Sequence, residues 1–208
     1  MQILNFILGP LANNTYLIAD PASGSAVVID PTFDPTPVTD TANQMGWAIE
    51  AIWLTHAHFD HIAGCAEIIR RTRPDLPVAL HPADLPVWRE KGGARMFGFE
   101  IDPGPIPSLA LAHGQILRLG AEVFEVRHTP GHSPGHVVFY SASAQTVLCG
   151  DLIFYRSVGR TDLPGGSSAQ LAASIQSQIF SLPRETRLLP GHGPETKVGD
   201  ELDENPYV

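Results

Sequence analysis

Three imidazoles and a carboxylate fall within six residues of this chain, His56, His58, Asp60 and His61, in the stretch Thr55-His56-Ala57-His58-Phe59-Asp60-His61. The stretch directly follows the apolar run Ile49-Glu50-Ala51-Ile52-Trp53-Leu54. Histidines packed this densely are costly to desolvate, and as imidazoliums they repel one another. A bound cation removes both problems, because neutral imidazole nitrogens and an ionised carboxylate are its natural ligands. The cluster therefore reads as part of a metal site at the end of a strand, and the rest of the chain must supply the missing ligands.

Three glycine-flanked positions can do so. Thr129-Pro130-Gly131-His132-Ser133-Pro134-Gly135-His136 follows the apolar run Val123 to Val126, Gly150-Asp151 follows Thr146 to Cys149, and Pro190-Gly191-His192-Gly193 follows Arg187 to Leu189. Glycine beside each candidate allows the tight turn that aims a side chain off a strand end. The candidates are then His56, His58, Asp60, His61, His132, Asp151 and His192. That set is too large for one tetrahedral ion and suits two, about 3.5–4 Å apart and sharing a bridging ligand. The assignment places His56, His58 and His132 on one ion, Asp60, His61 and His192 on the other, and Asp151 between them. The implied cofactor is a pair of divalent ions, zinc first, with iron and manganese accepting the same donors.

The elements that must position these ligands are legible around them. Thr15 to Ala19 and Ala26 to Asp30 read as a hairpin over Pro21-Ala22-Ser23-Gly24. A short helix over 38–45 ends at Gly46, and Ile49 to Leu54 is a buried strand. Helical spacing covers 62–71, followed by a strand over 77–81, a helix over 83–91 and an irregular Gly- and Pro-rich stretch over 94–114. Residues 115–126 predict two strands around Leu119-Gly120, and 136–140 and 146–148 two more. Ser168 to Phe180 is an amphipathic helix with Leu171, Ile175 and Ile179 on its core face, and Thr186 to Leu189 a last short strand. Strands in two groups, each with helices attached, predict two packed sheets flanked by helices in a single α/β domain over residues 1–208.

Other residues read more plainly. His136 opens a strand and serves as a supporting residue, while His81, His113 and His128 lack a partner motif and are structural. Cys65 and Cys149 are small buried hydrophobes, too few for a disulfide framework. A net charge of -9 argues against nucleic acid and anionic membrane as partners. No apolar segment approaches the roughly 20 residues of a membrane span, and the N-terminus lacks a signal peptide's basic region. A hydrophobic content of 43% supports a real core, in a protein expected to be soluble and cytoplasmic.

Taken together, His56-x-His58-x-Asp60-His61 followed by His132, Asp151 and His192 resembles the metallo-β-lactamase superfamily of hydrolases. More narrowly, Gly159-Arg160-Thr161-Asp162-Leu163-Pro164-Gly165-Gly166, Pro190-Gly191-His192-Gly193-Pro194-Glu195-Thr196 and Asn205-Pro206-Tyr207 resemble short bacterial glyoxalase II-like hydrolases. The resemblance implies a four-layer αβ/βα sandwich with the metals at one edge of its two sheets. It also implies a thioesterase acting on a small S-acylglutathione such as S-lactoylglutathione. Arg160 falls where longer relatives place a basic residue against the glutathione carboxylate, and is carried over as a substrate contact. Full-length glyoxalase II carries a further helical domain after its last metal ligand, whereas residues 193–208 are all that follow His192 here.

In that chemistry a metal-bridging hydroxide attacks the thioester carbonyl, and Asp60 is the catalytic carboxylate that holds it in line and manages its proton. The competing readings are a persulfide dioxygenase with a single iron, a lactonase or β-lactamase, and a non-catalytic metal-binding module. Gly-Pro-Glu-Thr after the last histidine counts against the dioxygenase, and a full set of seven ligands against a purely structural ion.

Overall fold

Alternate residues of strand β2 (Asn13–Asp20) enter different cores, and that explains why the strand is buried almost throughout. Leu17 and Ala19 join one apolar cluster, Tyr16 and Ile18 another. Side chains alternate across a strand, so a strand buried on both faces must lie in an inner layer. The computed structural model describes residues 1–208 and shows two such inner layers. One sheet runs in the order β1 (Gln2–Leu8), β2, β3 (Ser25–Ile29), β4 (Ala48–Trp53), β5 (Val78–Leu80), β6 (Leu109–Ala110). The other runs β14 (Thr196–Lys197), β13 (Arg187–Pro190), β10 (Thr146–Gly150), β9 (Val137–Ser141), β8 (Glu122–His128), β7 (Ile116–Leu119).

Between the sheets, Trp53 packs edge-on against Phe124 with ring centroids 5.4 Å apart, and against Phe139 at 5.5 Å. The outer face of the first sheet is covered by α1 (Thr36–Met45), α2 (Phe59–Ile62), α3 (Cys65–Arg71) and α4 (Leu85–Arg89), through Val38, Phe59, Ile62, Ile68 and Trp88. The outer face of the second is covered by α5 (Ser168–Ser174), its continuation Ile175–Ile179, and α6 (Val198–Glu204). This is the four-layer αβ/βα sandwich. No helix is long and apolar enough to cross a membrane.

Several predicted elements shift. The helix expected over 62–71 begins only at Cys65, with Ile62 ending the separate α2: Gly64 caps α3, its N–H donating to the Pro31 carbonyl, and a Cβ there would overlap the Thr32 carbonyl. The helix expected over 83–91 shortens to α4 after a 3₁₀ turn at Pro82–Asp84. The long helix over 168–180 relaxes to π-type bonding at Ile175–Ile179, yet Leu171, Ile175 and Ile179 all reach the core. Strand β1, β6 within the stretch 94–114 expected to be irregular, the hairpin β11 (Ile153–Phe154) with β12 (Ser157–Val158), β14 and α6 have no counterpart in the expected elements. Four of these five strands are two residues long, too short to show a period.

Candidate metal centre

Four strand ends deliver the candidate ligands to one edge of the sandwich. β4 runs into the loop carrying His56 and His58, and α2 then presents Asp60 and His61. His132 lies between β8 and β9, Asp151 directly follows β10, and His192 follows β13 after Gly191. The loops approach so closely that a Cβ on Gly191 would overlap the Asp151 carboxylate and lie 2.7 Å from His61 Cε1. Gly150 adopts a φ of +48°, against Thr55 and His136, which only glycine tolerates in that space.

Two sets of three donors emerge. His56, His58 and His132 converge with their ligand atoms mutually within 4.8 Å, and so do Asp60, His61 and His192. Asp151 spans the two: one oxygen lies 3.3 Å from His61 Nε2, the other 3.6 Å from His132 Nε2 and 3.7 Å from His192 Nε2. Asp30, His56 and His61 form a third group of the same size. The Asp30 oxygens, however, already accept from the Thr55 N–H at 2.8 Å, the Thr55 hydroxyl at 2.6 Å and His61 Nδ1 at 3.0 Å. Asp30 orients a ligand and is not itself one.

The proton positions follow from these partners. The Thr55 hydroxyl gives its proton to Asp30 and so accepts from His56 Nδ1 at 3.0 Å, which leaves a lone pair on His56 Nε2. His132 Nδ1 donates to the Arg160 carbonyl at 2.8 Å, leaving a lone pair on its Nε2. The lone pairs of those two Nε2 atoms face each other at 3.2 Å and repel unless a cation sits between them, while His58 Nδ1, 2.8 Å from His132 Nε2, can donate to it or, without its proton, join the same ion. In the other set, His61 Nε2 and Asp151 Oδ1 are buried without any hydrogen-bond partner, which an interior polar group does not tolerate unless something binds it. Both sets therefore fit divalent ions.

Electrostatics separates the two halves. Burial holds His56 well below the usual histidine range and His58 down to about 3, with neighbouring imidazoles adding to the effect. For His61 burial also lowers the pKa, but the Asp151 and Asp60 carboxylates outweigh it and raise the group well above its usual value. His192 is likewise raised, its hydrogen bond to Asp60 overcoming burial. Asp60 would be raised by burial, yet His61, with hydrogen bonds from His192 and Asn13, brings it down to about 2. One set is three neutral nitrogens; the other is a charged cluster around Asp60.

Several supporting residues carry no motif of their own. Asn13 donates to Asp60 Oδ2 at 2.9 Å, and its backbone forms a bridge with His192. The buried carboxylate of Asp84 accepts from the Ala57 N–H, the Ser133 hydroxyl and the Gly135 N–H at 3.0, 2.7 and 2.6 Å. It thereby ties the first histidine loop to the His132 loop. His136 accepts from the Asp151 N–H at 3.2 Å and donates to the Thr129 hydroxyl at 2.9 Å, a supporting role. His81 and His128 stack, centroids 4.2 Å apart, away from the ligands. Asp30 had one sequence signal, its place at a strand end beside Pro31; Asp84 had none.

Much of the narrower sequence signature proves architectural. Glu195 of Gly-Pro-Glu-Thr binds Arg187 in a forked pair at 2.6 and 2.7 Å. Thr196 and Asn205 both donate to Glu201, a fully buried carboxylate, at 2.6 and 2.8 Å. The Arg160 carbonyl orients His132, but its guanidinium is committed to Asp162 in two bonds of 2.7 Å. That pairing competes with the glutathione contact expected of it.

Residues 8–192, nearly the whole chain and every ligand named above, match the description "Metallo-beta-lactamase superfamily". The chain belongs to the metallo-β-lactamase superfamily. Among curated relatives, the probable metallo-hydrolase YqgX of Bacillus subtilis is 38% identical over 97% of this chain and 94% of that protein. A hydroxyacylglutathione hydrolase of Thermosynechococcus vestitus is 34% identical, over 86% of this chain and 63% of its own length. The solved structure of the BLEG-1 B3 metallo-beta-lactamase superposes with a TM-score of 0.91 at 35% identity, covering 99% of both chains. TTHA1623 in a di-iron-bound form gives 0.88 at 43% identity, over 99% of this chain and 100% of that one. ETHE1 from Myxococcus xanthus gives 0.81 at 26%, over 99% and 84%. Membership of this superfamily makes the chain a metallo-hydrolase by kinship, and the His/Asp donor groups suggest divalent metals as its cofactors.

Proposed function

We propose that the chain is a metal-dependent thioesterase of the glyoxalase II type, hydrolysing an S-acyl thioester such as S-lactoylglutathione. His56, His58 and His132 would hold one divalent ion and Asp60, His61 and His192 the other, with Asp151 between them. The observation that carries this reading is the Asp151 carboxylate, which faces both donor sets at once, 3.3 to 3.7 Å from their histidines. Ions held there would activate water as a nucleophile at neutral pH and polarise a substrate carbonyl.

The chain's own groups do the rest. Asp60, ionised and held by Asn13, is placed to keep the attacking water in line and to take and return its proton. Leu11, Phe59, Phe97 and Leu163 line the 180 Å³ cavity over the ligands and limit competing water. The departing thiol is acidic enough, about 8–9 for an ordinary cysteine, to leave without a strong general acid. The hydroxyacylglutathione hydrolase relative supports the thioesterase reading. The di-iron neighbour supports two ions and keeps iron beside zinc as an occupant.

The ETHE1 likeness favours one alternative, a dioxygenase with a single iron. A mononuclear site leaves His61 Nε2 and one whole donor set unexplained. Metal quantification on the purified protein separates the two, alongside hydrolysis of S-lactoylglutathione, other acylglutathiones and homoserine lactones. Two ions per chain with thioester turnover are expected. One iron with oxygen uptake on glutathione persulfide overturns the proposal.

A further inference from the structure

Beside the metal cavity lies a larger groove of about 480 Å³. His58, Gly92, Phe97 and Leu163 line both spaces, so a molecule reacting over the ligands continues straight into the groove. Its walls are apolar: Pro86 and Val87 from α4, Met96 and Phe97 from the turn that follows, Leu163 and Pro164 from the loop after β12. Met96 is 66% and Phe97 41% exposed, an unusual outlay of large apolar surface beside a reaction centre. The charged side chains along the groove are Glu90 and Arg95, of opposite sign. The cation at the mouth of the metal cavity, Arg160, is neutralised by Asp162. A tripeptide thiol bearing two carboxylates finds no matching cluster of cations on these walls, whereas an uncharged chain buries apolar area along them.

We propose that this groove binds an uncharged, apolar arm of the substrate, so that thioesters carrying such an arm are turned over more efficiently than S-lactoylglutathione. The proposal rests on the thioesterase reading for its reaction, though not for the groove's affinity. The arm can belong to the acyl group or to the thiol, and substrates distinguish them: S-hexanoyl-N-acetylcysteamine places it on the acyl side, S-acetyl-hexanethiol on the thiol side.

The test compares kcat/KM for these two with S-lactoylglutathione on the metal-loaded enzyme. Calorimetric titration with the non-hydrolysable S-hexyl-N-acetylcysteamine runs in parallel. Expected is a preference of about tenfold or more for at least one apolar thioester. The thioether should bind saturably. Val87→Glu should reduce both the preference and the binding about tenfold. Met96→Glu, at a more exposed position, repeats the test should Val87→Glu fold poorly; circular dichroism and metal content report the fold. A preference for S-lactoylglutathione, absence of thioether binding, or indifference to both substitutions overturns the assignment. Saturable, substitution-sensitive binding without hydrolysis of any thioester retains the groove and removes the thioesterase reading.

Discussion

Asp30 Oδ2 accepts a 3.0 Å hydrogen bond from Nδ1 of His61, and this pair fixes which nitrogen of His61 faces the metal cavity. The same carboxylate accepts from the Thr55 backbone and hydroxyl, and that hydroxyl in turn fixes His56. One carboxylate thus sets a ligand in each donor group. Asp30→Asn keeps the shape but leaves too few acceptors for three donors. Removing such a supporting partner costs about 10–100-fold in metal affinity. Competition with a chromophoric chelator should show that loss, while a variant that binds metal as tightly as the parent would refute the orienting role.

The ligands themselves make the larger prediction. His58→Ala and Asp151→Ala should lower bound metal and reduce thioester hydrolysis to background while the far-ultraviolet circular dichroism stays native. Each side chain sits at the sandwich edge, outside all three apolar clusters, so its loss spares the core. Full activity in either metal-depleted variant would sink the mechanism.

Acid should empty the two positions in sequence. A ligand whose pKa is lowered stays neutral, with its lone pair available, below the ordinary histidine value; one whose pKa is raised holds a proton that metal must displace. His56, His58 and His132 are lowered, His61 and His192 raised. Protons therefore compete at the Asp60, His61 and His192 position already above the ordinary histidine value of about 6.5, and at the His56, His58 and His132 position only below it. Dialysis at stepped pH with metal quantification should show a loss from two ions to one before the second leaves. Simultaneous release would contradict the division.

Gly191→Ala tests how closely the loops must approach. A Cβ there meets the Asp151 carboxylate and His61 Cε1, neither of which can retreat without leaving its place in the centre. Thioester turnover should fall by at least about tenfold for a displacement on the order of 1 Å at the reacting groups. Activity equal to the parent's would mean that the centre tolerates such a shift.

The candidate ligands stood out in the sequence because their chemistry is local: four crowd into six residues after an apolar run, the other three sit beside a glycine at a strand end, and metal donors come from few residue types. Tyr16, Trp53 and Val126 lie in runs long and apolar enough to mark strands, so the two-sheet architecture was legible too. Asn13 and Asp84 were not, because each acts across 47 or more positions in a way no spacing records, Asn13 on Asp60 and Asp84 on Ser133. Arg160 carries a role its motif does not record: beside the substrate contact the motif suggests, its carbonyl orients His132 and its charge pairs with Asp162.

Asp84 gives the sharpest test of how the centre is held. Its carboxylate is fully buried and accepts three hydrogen bonds, two from the backbone of the loops that carry His56, His58 and His132. Burial raises its pKa and the three donors oppose that rise, so the geometry depends on all of them remaining paired. Asp84→Ala strands two N–H groups and a hydroxyl at roughly 1–3 kcal/mol each, and a destabilisation of about 3 kcal/mol or more is expected. Asp84→Asn retains one acceptor oxygen and should fall between the two. Because the tie joins the two loops of one donor set, metal binding at the proposed His56, His58 and His132 position should weaken while the proposed Asp60, His61 and His192 position keeps its affinity. Chemical denaturation of both variants with metal quantification measures the two effects together. Equal loss at both positions would show that Asp84 supports the fold generally and not that half of the centre.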